Sequence, residues 1–438
     1  MRISTLTGLT AFSFVFNIFF AYLYYVLVLG MTAWPIPTIS ETWTYKPSNF
    51  LSRQFVISGA FSLMLIHTAI YYSSKDTKGS SVLFLIAVVG NVSLAIVSAV
   101  CMNDTSPECL GSTKYHDEFA VLYFVLIDIW MVGMILTTPR RSNLQLFSCF
   151  GSMTSKLPLT GFILPSWLGS VEWVNVAALL LFMVSFVHDN LDKFEIGVIG
   201  PSASVPFLTR TVYTSISNAM ATITSLGMGF ATIGIAFQIS ASRLEVNQGP
   251  VVPTVSDLFV LPPGNSFAHF GGVMGCTLLI IVCFQFYESY SKWTNAPQGA
   301  LVTSLIAVFS LSMSMCISKL EDIEVHYLFV TIFFTAFQAF SLWIAFWVRE
   351  NQSVPATLRS WIAVLSLTSL ATKYRLAIWD MNDFALYEVA DLVAIALYIG
   401  SYAWFESETL SKHPFAIYVM ERNAPTTDTN LKESLLPV

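Results

Sequence analysis

Long apolar runs separated by short polar segments dominate the chain. A helix of about 20 apolar residues spans a bilayer, whereas a strand of a membrane barrel needs only about 10. Twelve apolar runs, most of them near the helical length, fall at about 7–32, 54–73, 80–102, 117–137, 143–165, 169–188, 218–240, 267–286, 298–318, 324–348, 357–375 and 385–405. The pattern predicts an all-α integral membrane protein with twelve transmembrane helices, six in each half.

Composition agrees with this prediction and excludes several classes of partner. Hydrophobic residues make up 55% of the 438 residues and charged residues only 11%, whereas a soluble domain has about 25% charged residues. The formal net charge is −6 and no basic run is present, so we expect membrane lipids rather than nucleic acid as partners. The six cysteines show no zinc or redox spacing, so we expect neither metal nor cofactor.

A short motif occurs twice at equivalent places. Pro37-Thr38-Ile39-Ser40-Glu41 recurs 216 residues later as Pro253-Thr254-Val255-Ser256-Asp257, each time in the loop after the first apolar run of its half. Three further pairs keep the same spacing: Pro47 and Pro263, Asn49 and Asn265, Gly59 and Gly275. This register predicts a tandem duplication of one six-helix unit, with the two repeats parallel.

The repeat divides the chain into four segments. Residues 1–190 form the first six-span repeat, 191–215 a cytosolic hinge, 216–408 the second repeat and 409–438 a polar cytosolic tail that we expect to be disordered.

Basic residues predict the orientation. Thirteen of the 21 Lys and Arg residues fall on the side of the membrane that holds the N-terminus. Because positive charge favours the cytosolic side, both termini are expected in the cytosol and both Ser-acid loops on the lumenal or outer side. On that side Cys101 and Cys109 flank one loop and could form a disulfide, with two free thiols as the alternative. Asn103 begins a glycosylation sequon in the same loop.

Ionisable residues near the predicted lumenal ends recur in both halves, and such groups are functional candidates because membranes disfavour them. We expect a polar pocket in each half that holds a lipid headgroup or performs acid–base chemistry. The alternative is an interhelical network in which Glu172 satisfies Lys156 and Ser40 caps the second span. The candidates are Ser40, Glu41, Arg53, His116, Lys156 and Glu172, and in the second half Ser256, Asp257, His269, His326, Lys373 and Glu388.

Two further polar residues, Asp128 and Gln338, fall near the middle of the fourth and tenth predicted spans. We expect Asp128 to be protonated and hydrogen-bonded; alternatively it marks a pocket in the first half only. The sequence has no Gly-x-Ser-x-Gly elbow and no His-Glu-x-x-His zinc motif, so no catalytic residues are assigned.

These residues resemble the damage-regulated autophagy modulator (DRAM) family. Pro37-x-Ile39-Ser40-Glu41-Thr42 followed by a proline is similar to the family's first lumenal loop. A histidine opening the fourth span fits too, as does the sixth-span pattern Glu172-Trp173…Phe182…Phe186…Asp189. The second half is less similar, with Ser256-Asp257-Leu258 and Glu388-Val389. The usual member looks like a single six-span unit, so the fused pair departs from it.

The resemblance implies an autophagy or membrane-lipid role in the lysosome, the Golgi or the plasma membrane. The wider six-span group also contains FGF-receptor-activating proteins and factors that remodel GPI-anchor lipids. Three functions are therefore expected in order: a non-enzymatic modulator of autophagy or membrane-lipid homeostasis, a lipid-remodelling enzyme that transfers acyl groups on GPI or a phospholipid, and a twelve-span transporter. The sequence leaves open whether the protein is an enzyme.

Overall fold

Several membrane-crossing helices make up most of the structure. The computed structural model describes residues 2–31, 36–73, 79–100, 112–138, 141–155, 168–191, 194–199, 212–215, 229, 234, 254–290, 297–347, 357–368, 384–405 and 416–421. Within these ranges eight helices are long and apolar enough to cross a membrane, five in the first half and three in the second. The chain is therefore a multi-pass membrane protein.

The first half contains seven described helices, of which one is a single turn in the loop after the first span. They are α1 (Ile3–Leu23, continued by a π turn at Tyr24–Val28), α2 (Ile39–Thr42), α3 (Ser48–Ser73), α4 (Ser80–Ala99), α5 (Thr113–Thr137), α6 (Asn143–Ser155) and α7 (Leu168–Leu191).

The described helices of the second half follow a similar order. They are α8 (Val255–Leu258), α9 (Gly264–Phe267, joined by a π turn at Ala268–Gly272 to the next helix), α10 (Val273–Tyr290), α11 (Pro297–Cys316), α12 (Ile323–Trp347), α13 (357–368) and α14 (Phe384–Phe405).

Four of the twelve predicted spans are not among the eight candidate membrane helices. The helices α6, α13 and α14 lie where the fifth, eleventh and twelfth spans were predicted, and the seventh, 218–240, lies almost entirely outside the described residues. The short helices α6 and α13 expose Phe147, Phe150, Trp361 and Leu365, as helices facing lipid would. Twelve spans in two repeats therefore remain a prediction.

Aromatic side chains fill the spaces between the helices, and hydroxyl groups there donate to the backbone of their own helix. In the first half the indole of Trp130 is fully buried and packs edge-on against Phe182 and Phe186. Hydroxyl groups on the helices donate to the carbonyl four residues earlier, as Thr68 does to Met64 O at 2.7 Å. Such bonds satisfy a polar group that neither lipid nor an apolar neighbour could satisfy.

The two halves pack against each other through the second and third spans of each. The helix α3 contacts α10 and α11, and the shared apolar cluster takes residues from both halves. Its buried members are Phe50, Ile57, Ala60, Ala95 and Ala99 from the first half, and Val273, Met274, Met313, Cys316 and Ile317 from the second. The halves therefore share one apolar cluster at their interface.

A three-stranded antiparallel sheet joins the hinge to the tail. Its strands are β1 (Phe194–Ile199), β2 (Val212–Ser215) and β3 (Ala416–Glu421), in the order β1-β3-β2. The all-α prediction holds for the membrane helices, and this small sheet is an addition to it. The six residues of β3 correct the expectation that the whole tail is disordered. The strands are rich in Val, Ile and Tyr, which favour extended backbone, but they are far shorter than the apolar runs that revealed the helices.

Candidate functional site

A single helical turn, α2, positions the serine of the first motif. Thr38 caps this turn: its Oγ1 accepts from the Glu41 N–H at 3.0 Å, and Glu41 Oε2 accepts from the Thr38 N–H at 2.7 Å. This reciprocal pair is a capping box. Ser40 lies inside the turn and does not cap the second span, which corrects one interpretation of the motif.

The first turns of α7 hold α2 in place from the other side. Glu172 Oε2 accepts the Ile39 N–H at 2.9 Å, and the Trp173 indole donates to Pro37 O at 2.9 Å. Gly169 lies so close that a Cβ atom there would overlap the carbonyl oxygen of Ile36. The motif loop is therefore docked on α7 through its backbone, and Glu172 is brought beside Ser40.

The side chains of Ser40, His116 and Glu172 meet at this point. Ser40 Oγ lies 3.0 Å from His116 Nε2 and 3.4 Å from Glu172 Oε1, while His116 Nδ1 faces Val100 O at 3.3 Å. A carbonyl can only accept, so Nδ1 carries the hydrogen and Nε2 accepts from the Ser40 hydroxyl. The contact with Glu172 is longer than an ordinary hydroxyl–carboxylate hydrogen bond.

The second half repeats this arrangement almost contact for contact. Ser256 Oγ lies 2.9 Å from His326 Nε2 and 3.4 Å from Glu388 Oε1, and His326 Nδ1 faces Ile317 O at 2.7 Å. Glu388 Oε2 accepts the Val255 N–H at 3.1 Å. Thr254 and Asp257 form the capping box of α8. We call the two groups the first and second Ser-His-Glu clusters.

Each cluster has the groups needed to move a proton. The serine hydroxyl donates to a neutral imidazole nitrogen, which makes the histidine a base for that hydroxyl. A serine has one hydrogen, so hydrogen bonds to both of its neighbours require a second hydrogen on the histidine or the glutamate. A proton could thus pass between glutamate and histidine through the serine. The same contacts also hold three helices together, so structure and chemistry share these residues.

A cavity adjoins each cluster. The first, of about 80 Å³, is bordered by Ser40 and Glu172 and otherwise mostly by apolar side chains, with His67 and Tyr123 the exceptions farther along the helices. The second, of about 40 Å³, is bordered by Ser256, His326 and Glu388 together with other residues. One water needs about 10–15 Å³ on this measure. Both cavities therefore exceed the space of a single water.

The acidic residues of the two motifs, Glu41 and Asp257, take part in the capping boxes of the short helices α2 and α8. Glu41 is exposed, whereas the Asp257 carboxylate also binds Lys319 Nζ at 2.7 Å. Burial opposes ionisation of Asp257, but the hydrogen bonds from Lys319 and Thr254 outweigh it and lower its pKa. Burial likewise opposes the charge of Lys319, but Asp257 raises its pKa. Lys319 borders the second cavity, so a lysine does stand at this site.

Arg53 and His269 lie at the interface between the halves. Arg53 grips the carboxylate of Glu321 with both Nη atoms, at 2.7 and 2.8 Å, and donates to Cys316 O at 2.6 Å. Burial opposes ionisation of Glu321, yet Arg53 holds its pKa below the usual value. His269 Nδ1 faces Ala99 O at 3.1 Å, and this ring also borders the second cavity.

Asp128 belongs to a polar cluster inside the first half, about midway along α5. Ser152 Oγ lies 2.7 Å from both Asp128 Oδ1 and Asn175 Oδ1. One hydroxyl hydrogen cannot serve both oxygens, so a second hydrogen must come from the Asp128 carboxyl or the Asn175 amide. This agrees with a hydrogen-bonded Asp128.

The second half contains a related polar contact between its tenth and eleventh predicted spans. Gln338 Nε2 donates to Ser366 Oγ on α13. Asp391 on α14 is fully buried and lies 216 positions after Asn175. Ser152, Asn175, Ser366 and Asp391 were not among the predicted site residues, although the spacing of 216 could have linked two of them.

Five predicted site residues lie outside the described residues: Lys156, Lys373, Cys101, Cys109 and Asn103. Their roles stay predictions. Among the residues that the structure describes, no group of three or more His, Cys, Asp or Glu side chains could hold a metal ion.

A family comparison matches the second half of the chain. Residues 213–405 match the model of the Frag1/DRAM/Sfk1/Cwh43P N-terminal domain. This segment of the chain is similar to the Frag1/DRAM family of domains. The match falls on the second half, although the motif resemblance was stronger in the first. No curated protein and no solved structure gives a match. The second Ser-His-Glu cluster and the second cavity therefore lie within the matched residues.

Proposed function

We propose that this protein handles lipids in an endomembrane such as that of the lysosome or the Golgi, and that it thereby modulates autophagy or membrane-lipid homeostasis. The observation that carries the proposal is the same in both halves. A buried Ser-His-Glu cluster stands at the edge of a mostly apolar cavity within a helix bundle. A polar point beside an apolar cavity suits an amphipathic molecule, with its polar group at the serine and a chain along the helices.

We further propose that the two halves arose by tandem duplication and lie parallel in the membrane, with both clusters on the lumenal side. The support is the pair of capping boxes and the glutamate that binds the loop backbone 133 residues later in each half. A chance match of five residues would not reproduce these contacts. In this arrangement a lipid would enter both cavities from the same leaflet.

Quantitative lipid profiling of knockout cells tests the main proposal. The wild-type protein, His116→Ala and His326→Ala are each expressed separately in the knockout cells, and equal protein levels are checked in each line. We expect at least one histidine variant to leave the lipid profile or autophagic flux of the knockout uncorrected. Lys114→Gln is the matched control, because Lys114 is exposed and pairs with Glu118 one helical turn away. Full correction by both histidine variants would refute the proposal.

Acyl transfer is a second candidate, favoured by the Ser-to-His hydrogen bond. In this reaction the serine Oγ would bond to the carbonyl carbon of a lipid ester while the serine proton moves to His Nε2. The ester C–O bond then breaks, and the proton passes to the departing alcohol. Purified protein would then be labelled by a serine-reactive fluorophosphonate, and Ser256→Ala or Ser40→Ala would lose that label. Absence of label with an intact lipid phenotype would favour the non-enzymatic function.

A transporter is a third candidate, favoured by the polar clusters around Asp128 and Gln338. Transporters place polar groups near the middle of the membrane in both halves, and both clusters lie well inside their helices. Uptake of a solute into proteoliposomes, abolished by Asp128→Leu and by Gln338→Leu, would support this function over the other two.

A further inference from the structure

The last turns of α4 and α11 are joined to the opposite half. Arg53 on α3 of the first half donates to Cys316 O in the second half at 2.6 Å. His269, 216 positions after Arg53, faces Ala99 O in the first half at 3.1 Å. Both acceptor carbonyls belong to the last residue of the third span. The two contacts therefore cross the interface in opposite directions and end at equivalent places.

The next carbonyl along the chain orients the histidine of a Ser-His-Glu cluster. Ile317 O, one residue after Cys316, accepts from His326 Nδ1 at 2.7 Å. Val100 O, one residue after Ala99, accepts from His116 Nδ1 at 3.3 Å. The peptide planes of consecutive carbonyls meet at one Cα atom, so only two dihedral angles separate them. A contact that fixes one of them therefore constrains the other.

We infer that Arg53 and His269 are positioning residues for the opposite halves: Arg53 orients His326 in the second cluster, and His269 orients His116 in the first. The inference rests on the proposed function in treating the two clusters as the sites. Neither site is complete within its own half, because the carbonyl that fixes each histidine directly follows, along the chain, a carbonyl that is held from across the interface.

The contacts that Arg53 and His269 make across the interface differ in strength. Arg53 also binds both carboxylate oxygens of Glu321, and Glu321 Oε2 accepts the Ser318 N–H at 2.9 Å. Arg53 thus holds the segment on both sides of Ile317. The His269 ring reaches the opposite half through its Nδ1 atom and one carbonyl. We therefore expect the second cluster to depend more on Arg53 than the first depends on His269.

Residue-resolved acylation of histidines tests this inference without any lipid ligand. Full-length protein in nanodiscs is treated briefly with diethyl pyrocarbonate, and mass spectrometry measures the modified fraction of each histidine. His188, whose side chain is 75% exposed, serves as the internal standard. In wild type, buried His116 and His326 should react slowly.

The expected pattern is crossed. Arg53→Gln should raise the reactivity of His326 about three- to tenfold, the factor for losing one ordinary hydrogen bond, and leave His116 unchanged. His269→Leu should raise the reactivity of His116 and leave His326 unchanged. His269→Asn, which keeps a donor at the place of Nδ1, should restore low reactivity at His116. Lys114→Gln should change neither.

Because Arg53→Gln leaves the buried Glu321 carboxylate without its arginine, the double variant Arg53→Gln/Glu321→Gln is measured beside it. It removes both charges and should show the same selective effect on His326. Equal increases at both histidines, an increase in the mutated half, or no change in any variant would overturn the inference. These outcomes do not depend on lipid binding, so they are distinct from failure of the proposed function.

Discussion

Asn175 in the first half and Asp391 in the second stand 216 positions apart on equivalent helices, yet one is an amide and the other an acid. Asp128 and Gln338 show the reverse exchange on the fourth and tenth spans. Each half thus keeps one acid, one amide and one serine within its bundle, with acid and amide on exchanged helices. At these positions each half therefore has one carboxyl group, but on a different helix.

This exchange predicts that a second acid beside Ser152 lowers the stability of the protein, and that removing the Asp128 carboxyl group restores it. Asn175→Asp places two carboxyl groups around Ser152, and like charges in a low dielectric oppose each other. We expect a loss of about 1–3 kcal/mol of stability. Asn175→Asp/Asp128→Asn should recover most of it, since it copies the order of the second half. Thermal unfolding in detergent measures all four members of the cycle, and additive effects would contradict the prediction.

Gly169→Ala should weaken the docking of the first motif loop on α7. A Cβ atom would overlap the Ile36 carbonyl oxygen, and this backbone cannot move without breaking the Ile39 and Trp173 bonds. We expect a loss of about 1–3 kcal/mol, the usual effect of overpacking. Gly151→Ala is the matched control, because the nearest atom is 3.9 Å away. Thermal unfolding that ranks the two variants equally would be inconsistent with the close approach.

Variants of Glu172 separate its backbone contact from its charge. Glu172→Gln keeps an oxygen for the Ile39 N–H and should cost little stability. Glu172→Leu leaves that N–H without its acceptor and should cost about 1–3 kcal/mol. Glu118→Leu, at an exposed position on α5, controls for the change of side chain. Equal stability of the Gln and Leu variants would show that the Ile39 contact does not hold the loop.

The buried pair of Arg53 and Glu321 predicts a defined pH dependence. The pKa of Glu321 is lowered in the folded protein, so its contribution to stability is present above its unfolded pKa of about 4.3 and is lost as pH falls through the folded pKa. Arg53→Ala should cost about 3–5 kcal/mol near neutral pH. The difference from wild type should shrink below about pH 4. Unfolding between pH 3 and 7 measures it, and a constant difference would contradict the assignment.

Features that repeat at a fixed spacing were predictable from the sequence. The sequence predicted a site in each half, because Ser40 and Ser256 are 216 residues apart, as are Glu172 and Glu388. The structure brings Ser40 and Glu172 together with His116, and Ser256 and Glu388 together with His326. The spans were predictable because membrane helices need long apolar runs. The roles of Arg53 and His269 were not predictable, because their partners belong to the other half and no spacing within one half indicates them.

Residues outside an apolar run were harder to assign. Lys319 and Glu321 lie in the short turn between α11 and α12, and their importance depends on Asp257 and Arg53, which are distant in the chain. The strand β3 was not predicted because six residues flanked by polar segments carry little pattern of their own. Its pairing partners begin more than 200 positions earlier.

The sheet brings the beginning and the end of the second half together. β3 lies between β1 and β2, so the polypeptide enters the second half next to the place where it leaves, with Val212 opposite Val419. Entry and exit points that touch are what a circularly permuted protein needs. The second half could accordingly be reopened at another loop and its old ends joined by a short linker, with every helix contact retained.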